Sequence, residues 1–140
     1  MDLFSRKIVG WAMSDRLKRH LVIDAFNQAA GRRSSLEGLI FHSDRGCQYA
    51  SYDFRDLLKE HKCVSSMSGK GSCYDNAAAE SFFSTIKREL IFDMNYETRS
   101  EAASSIFEYI EVFYNRIRRH TSIGGLNPAA FEATLLQKVA

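Results

Sequence analysis

Two acidic residues stand in settings suited to metal chemistry. Asp44 lies in FHSDRGCQYAS (41–51), just past a short apolar run, and Glu80 lies in YDNAAAESFFSTIKREL (74–90), one turn into a predicted helix. They are 36 positions apart, so only two separate elements can bring them together. A pair of carboxylates assembled in this way offers the hard oxygen ligands that Mg²⁺ prefers, since that ion is usually held by one or two carboxylates plus substrate phosphates. Spacing alone is weak evidence in a chain with 17 acidic residues. Each acid also has an ordinary alternative. Asp44 could close a turn with Arg45 and Gly46, and Glu80 could belong to a solvated helix face.

The elements that must carry the pair follow from local patterning. Arg6 to Met13, with Ile8, Val9 and Trp11, reads as a strand. Ser14 is placed to cap a helix through Leu17, Leu21, Ala25 and Ala29 that ends near Gly31. Leu39-Ile40-Phe41 reads as a short buried strand, with Asp44 beyond its C-terminal end, where α/β sheets gather ligands. Ser51 opens a helix through Phe54 and Leu58 to about Lys62, and Cys63 to Met67 is a further strand.

Ser68 to Asp75 is a glycine-containing loop, and Asn76 to about Leu90 is the helix that carries Glu80. At ~100° per residue, Asn76, Ser84 and Lys87 fall within about 40° of Glu80, leaving Phe83, Ile86 and Leu90 for the core. Thr98 with Glu101 has the form of a capping box. The stripe Ala103, Ile106, Phe107, Ile110, Phe113, Tyr114, Ile117 predicts a long amphipathic helix, and Asn127-Pro128 opens a final short one. Strand, helix, strand, helix, strand and then helices is an α/β order.

Composition sets outer limits. The chain has 140 residues, of which 45% are hydrophobic and 12% aromatic, which fits one globular domain with a packed core. A net charge of +2 does not announce a nucleic-acid binder, so the local cluster Arg116, Arg118, Arg119, His120 matters more. Its bland reading is a set of cations complementing a helix C-terminus. Cys47, Cys63 and Cys73 form no Cys-x-x-Cys pair, which argues against a disulfide framework or a structural zinc site and suits a reducing cytoplasm. No apolar run approaches the ~18 residues of a membrane span, and no signal-peptide layout opens the chain.

Four stretches together resemble the catalytic core of insertion-sequence transposases related to retroviral integrases, the DDE family. They are DLFSRKIVGWAMS (2–14), HSDRGCQYAS (42–51), SMSGKGSCYDNAAAESFFSTIKREL (66–90) and YNRIRRHTSIGGLNPAAFE (114–132), in family order. The resemblance implies a ribonuclease H-like mixed sheet with flanking helices followed by C-terminal helices, within one partial catalytic core over 1–140. The first strand and most of the second are expected to be missing. Asp44 and Glu80 become the second and third family acids, catalytic and metal-binding, with Mg²⁺ (or Mn²⁺) as cofactor. The implied chemistry is DNA strand cleavage and strand transfer by two ions about 3.5–4 Å apart.

The first family acid, in a Trp-x-x-Asp-x-Thr setting, has no counterpart, and Asp2 matches the acid before Leu-Phe-Ser-Arg instead. Weak metal binding and little strand transfer are therefore expected of this chain alone. Lys70, Asn76 and Lys87 are expected to contact DNA; for Asn115, Arg118 and His120 the resemblance implies DNA contact or helix docking. Expected partners are element-end and target DNA and a second copy or an intact transposase, with no membrane. Two other functions remain open: a non-catalytic remnant that binds DNA or pairs with transposase, and a ribonuclease H-like nuclease that cuts without joining.

Overall fold

The computed structural model describes residues 1–16, 18–69 and 76–139. They form two compact units, one of Val9–Glu80 and one of Met1–Ile8 with Ser81–Ala140. The secondary structure is mixed α/β, with a two-stranded parallel sheet among the described residues.

In the Val9–Glu80 unit, helix α1 (Arg19–Ala30) buries Val22 and Phe26, four residues apart on one face. It starts later than Ser14, because the Ser14 hydroxyl accepts the Arg16 N–H and Lys18 occupies the N-cap without a side-chain bond. Strand β1 (Ile40–Ser43) leads to α2 (Tyr52–Glu60), whose N-cap Ser51 accepts the Phe54 N–H as expected. Strand β2 (Val64–Met67) then pairs parallel to β1, with Ile40 opposite Val64 and Ser43 opposite Met67. The core is Val22, Phe26, Leu36, Phe54 and Leu58, with Phe41 and Tyr49 packed against it.

Two expectations fail in this unit. The apolar run at β1 is not buried: Leu39 and Ile40 are 45% and 67% exposed, and the one buried strand residue is Ser43. Phe41 is the residue of this run that packs against the helical core, while Ile40 lies on the opposite face of the strand. Nor is Arg6–Met13 a strand. Its first part is a turn closed by the Asp2 N–H donating to the Lys7 carbonyl at 2.8 Å, with Arg6 at φ 63°. Farther along, the Trp11 N–H donates to Gln28 Oε1 at 2.7 Å, so a side-chain amide serves a group that a sheet ladder would have used. Gly10 permits this approach, because a Cβ there would collide with the Ala25 carbonyl oxygen.

Helix α3 (Ala77–Ile86) continues as a π-helical turn over Lys87–Ile91, where the Phe92 N–H reaches back five residues to the Lys87 carbonyl. Its buried residues are Phe82, Thr85 and Ile86, while Phe83 is 58% exposed. The core stripe therefore differs from the expected Phe83, Ile86 and Leu90.

Helix α4 (Arg99–Glu108) begins at Thr98, whose hydroxyl accepts the Glu101 N–H; Glu101 reaches back to the Glu97 N–H, one residue before the usual capping-box partner. It too becomes π-helical, over Tyr109–Tyr114. That winding changes part of the predicted stripe, which keeps Ile110 and Tyr114. Tyr109, Ile110 and Tyr114 are buried, whereas Phe107, Phe113 and Ile117 are 52%, 40% and 58% exposed. The two buried tyrosines are five residues apart, as a π turn requires and an α-helix face does not.

A short 3₁₀ turn (Thr121–Ile123) precedes α5 (Pro128–Val139), where Asn127 Oδ1 accepts the Ala130 N–H. Lys7 and Ser5 both bond Glu132, and Phe4 stacks near Phe131, so the N-terminal turn is docked on α5. No helix among the described residues is long and apolar enough to cross a membrane.

Candidate active site

Asp44 follows the last residue of β1 and is exposed. Its Oδ1 accepts the Gly46 N–H at 2.8 Å, so the turn-closing geometry is present. That bond uses one oxygen. Burial raises the pKa of Tyr49, and the nearby Asp44 charge raises it further, which puts the carboxylate within electrostatic reach of the phenol.

Glu80 occupies the first turn of α3 and is exposed. Phe82, Thr85 and Ile86 lie roughly 140–240° around the helix from it, so burial of that face turns Glu80 outward.

The residues beside the two acids meet at Ser68, which is 5% exposed. The Ser68 N–H donates to the Ser43 carbonyl at 3.0 Å, and the Ser68 carbonyl accepts Arg45 Nε at 2.9 Å. Asn76 Nδ2 donates to Ser68 Oγ at 2.8 Å, and His42 Nε2 lies 3.3 Å from the same oxygen. Ser43 and Arg45 flank Asp44, while Asn76 stands one helical turn before Glu80. Sequence reasoning missed Ser68, for a serine at the start of a loop carries no signal of four partners elsewhere.

As metal donors the two acids fit a hard divalent cation in kind. Asp44 retains Oδ2, and no hydrogen bond or ion pair holds Glu80 among the described residues. They do not fit a complete centre in number, because no group of three His, Cys, Asp or Glu among the described residues could hold a metal ion. Asp2 spends Oδ1 on the N–H groups of Phe4 and Ser5, at 3.0 Å each.

Of the expected DNA contacts, Lys70 lies outside the described residues. Asn76 gives its amide N–H to Ser68, and Lys87 is exposed. The other three have internal partners. Asn115, 3% exposed, accepts the Ile8 N–H at 2.9 Å and donates to the Ile8 carbonyl at 3.0 Å. Arg118 makes a two-nitrogen contact with Glu89, whose other partner is the Tyr109 hydroxyl at 2.6 Å. The His120 ring stands edge-on to Tyr114 with Nδ1 3.4 Å from Arg118. Burial lowers the His120 pKa, and the Arg118 and Arg6 charges lower it further, so its surroundings disfavour the charged ring.

The Glu89 clamp predicts an acid-sensitive stability. The Arg118 hydrogen bonds hold the Glu89 carboxyl below the usual carboxylate range against the opposing effect of burial, and the Tyr109 hydroxyl adds to this. A depressed folded-state pKa contributes stability above the unfolded value, and that contribution disappears as pH falls through the folded value. Glu89→Gln should therefore cost about 1 kcal/mol at pH 7, a modest loss because solvent screens a partly exposed pair. The cost should shrink as the pH is lowered through the folded-state value, so that it is smaller in acid than at pH 7. Urea unfolding of both proteins at pH 7 and in acid checks this; an equal difference at both would remove the charge from the account.

Comparison with known proteins places these residues in a family. An integrase core domain model matches residues 1–73 and a second integrase core domain model matches 80–136. The chain is 50% identical over 132 residues to the transposase for insertion sequence element IS904 of Lactococcus lactis, covering 94% of this chain and 52% of that protein. It is 46% identical over 132 residues to the transposase InsF for insertion sequence IS3A of Escherichia coli, covering 94% of this chain and 46% of that one. The chain thus spans about half the length of the curated relatives it matches. On the first model, which takes in more than half of its residues, the chain belongs to the integrase core domain family.

Proposed function

We propose that this chain is part of a DNA transposase core with a ribonuclease H-like fold, contributing Asp44 and Glu80 to divalent-metal-dependent strand cleavage and joining. The observation that carries the reading is the shared anchorage: two exposed acids, each with an oxygen uncommitted among the described residues, stand on elements tied to one buried serine. The relatives' transposase names support it.

Asp44 and Glu80 would hold Mg²⁺ or Mn²⁺. Such an ion supplies positive charge against the attacked phosphodiester and lowers the pKa of an attacking water or 3′-hydroxyl. Asp44 is oriented by its turn with Gly46 and Glu80 by the rigid first turn of α3. Lys70, Asn76 and Lys87 are the groups assigned to DNA, where phosphate contacts give affinity without sequence readout. Asn115, Arg118 and His120 serve helix docking through the partners described above.

The lack of a three-ligand cluster among the described residues favours a second reading, in which the chain binds DNA or pairs with a complete transposase without catalysing alone. A labelled-DNA assay in Mn²⁺ separates the readings. The transposase reading expects weak nicking that Asp44→Asn and Glu80→Gln each reduce to background. Nicking untouched by both variants would defeat it. A joined product would exclude a nuclease that only cuts.

A further inference from the structure

We propose that Ser68 is the positioning residue of this core, fixing through one hydroxyl the strand end that presents Asp44 and the helix start that presents Glu80. The inference rests on the transposase reading for its functional meaning but not for its structural content.

The donors and acceptors around Ser68 close as a complete set. A serine hydroxyl has one proton and two lone pairs. The Ser68 hydroxyl donates to the Ser43 carbonyl at 3.3 Å, which leaves both lone pairs for Asn76 Nδ2 at 2.8 Å and His42 Nε2 at 3.3 Å. His42 then carries its proton on Nε2, and its Nδ1, 2.9 Å from Ser66 Oγ, accepts from that hydroxyl. His42 and Ser66 face one another across the β1–β2 ladder, so the ring braces the two strands at their C-terminal ends. The proton and both lone pairs of the Ser68 hydroxyl are then in use.

The backbone of Ser68 completes the arrangement. Its N–H and carbonyl hold Ser43 and Arg45, the residues on either side of Asp44. The hydroxyl holds Asn76, from which Glu80 is one turn distant. Both acids lie in the Val9–Glu80 unit, and among the described residues Ser68 is bonded both to the immediate neighbours of Asp44 and to Asn76 at the start of α3. Ser68→Ala keeps the backbone bonds but leaves the His42 and Asn76 N–H groups without their acceptor, so it should release α3 more than β1.

Positioning partners behind metal ligands are worth about 10–100-fold in metal affinity. The test uses the whole chain with Mn²⁺ alone as probe, comparing wild type, Ser68→Ala, Asn76→Ala, the double variant and Ser68→Thr. Nuclear magnetic resonance with no metal present reads the link directly. The Asn76 side-chain amide and the Glu80 backbone amide should exchange with solvent at least about tenfold faster in Ser68→Ala than in wild type, with α2 unchanged, and Ser68→Thr should restore protection. Mn²⁺ affinity should fall about 10–100-fold in each single variant, and by no more in the double, because both singles remove the same bond.

Unchanged exchange of the Asn76 side-chain amide in Ser68→Ala, with the Glu80 backbone amide unchanged in both single variants, overturns the proposal, whatever the metal data. Faster exchange with Mn²⁺ affinity lost in Asp44→Asn and Glu80→Gln but retained in Ser68→Ala and Asn76→Ala overturns the positioning role while leaving the transposase reading intact. Mn²⁺ binding unaffected by Asp44→Asn and Glu80→Gln defeats that reading and, with it, the functional claim for Ser68.

Discussion

Phe54→Ala should lower the stability of the Val9–Glu80 unit by about 3–5 kcal/mol, the range for removing a buried aromatic ring. Phe54 is 1% exposed and belongs to the core that packs α1, α2 and the Phe41 side of β1 together. Its ring makes edge-on contacts with Phe26 of α1 at 5.8 Å, Phe41 of β1 at 5.2 Å and Tyr49 at 5.8 Å. Alanine forfeits the transfer free energy of the ring and leaves a cavity that two rigid helices and a strand cannot collapse to fill. Phe41 lies three residues before Asp44 and Tyr49 five after it, so the same loss loosens the acid's support. Tyr52→Ala supplies the contrast. Tyr52 belongs to the same helix but is 78% exposed, and its contact is the Arg55 guanidinium at 4.8 Å, worth about 0.5–1 kcal/mol. Urea unfolding of both variants checks the pair; a loss under about 1 kcal/mol for Phe54→Ala would show that the ring does not anchor this core.

Features that sequence made legible are those set by neighbours within one turn. Ser51 capping α2, Thr98 capping α4 and Asn127 before Pro128 are local bonds, and the structure has them. The parallel pairing of two four-residue strands also agrees with the expected order, although the burial of β1 does not. What escaped reading depends on distant partners. The segment 6–13 has strand-forming side chains, yet its backbone groups go to Asn115, 107 positions away, and to Gln28, 17 positions away. The two π turns change which side of a helix faces inward, and no residue type marks an i→i+5 bond in advance.

The candidate site divides the same way. Asp44 and Glu80 stood out through their flanks, whereas Ser68 draws partners from 8 to 26 positions away. For Arg118 the sequence left DNA contact and helix docking side by side, because Glu89, 29 positions upstream, is invisible to any local pattern.

Asn115→Ala should cost about 2–4 kcal/mol in the unit formed by Met1–Ile8 and Ser81–Ala140, because it leaves two buried backbone groups without partners at ~1–3 kcal/mol each. The amide grips Ile8 from both sides, accepting its N–H and donating to its carbonyl, and both residues are 3% exposed. Asn115→Asp should be worse than alanine. It keeps an acceptor for the Ile8 N–H but turns a charged oxygen toward the Ile8 carbonyl in place of a donor, and a buried carboxylate facing an acceptor has nothing to offset its desolvation. The measurement is urea unfolding followed by far-ultraviolet circular dichroism, paired with DNA affinity at one salt concentration on the folded fraction. Docking predicts a large stability loss with affinity per folded molecule unchanged. A variant as stable as wild type but weaker on DNA would return Asn115 to the DNA surface and leave the Ile8 segment held by something else.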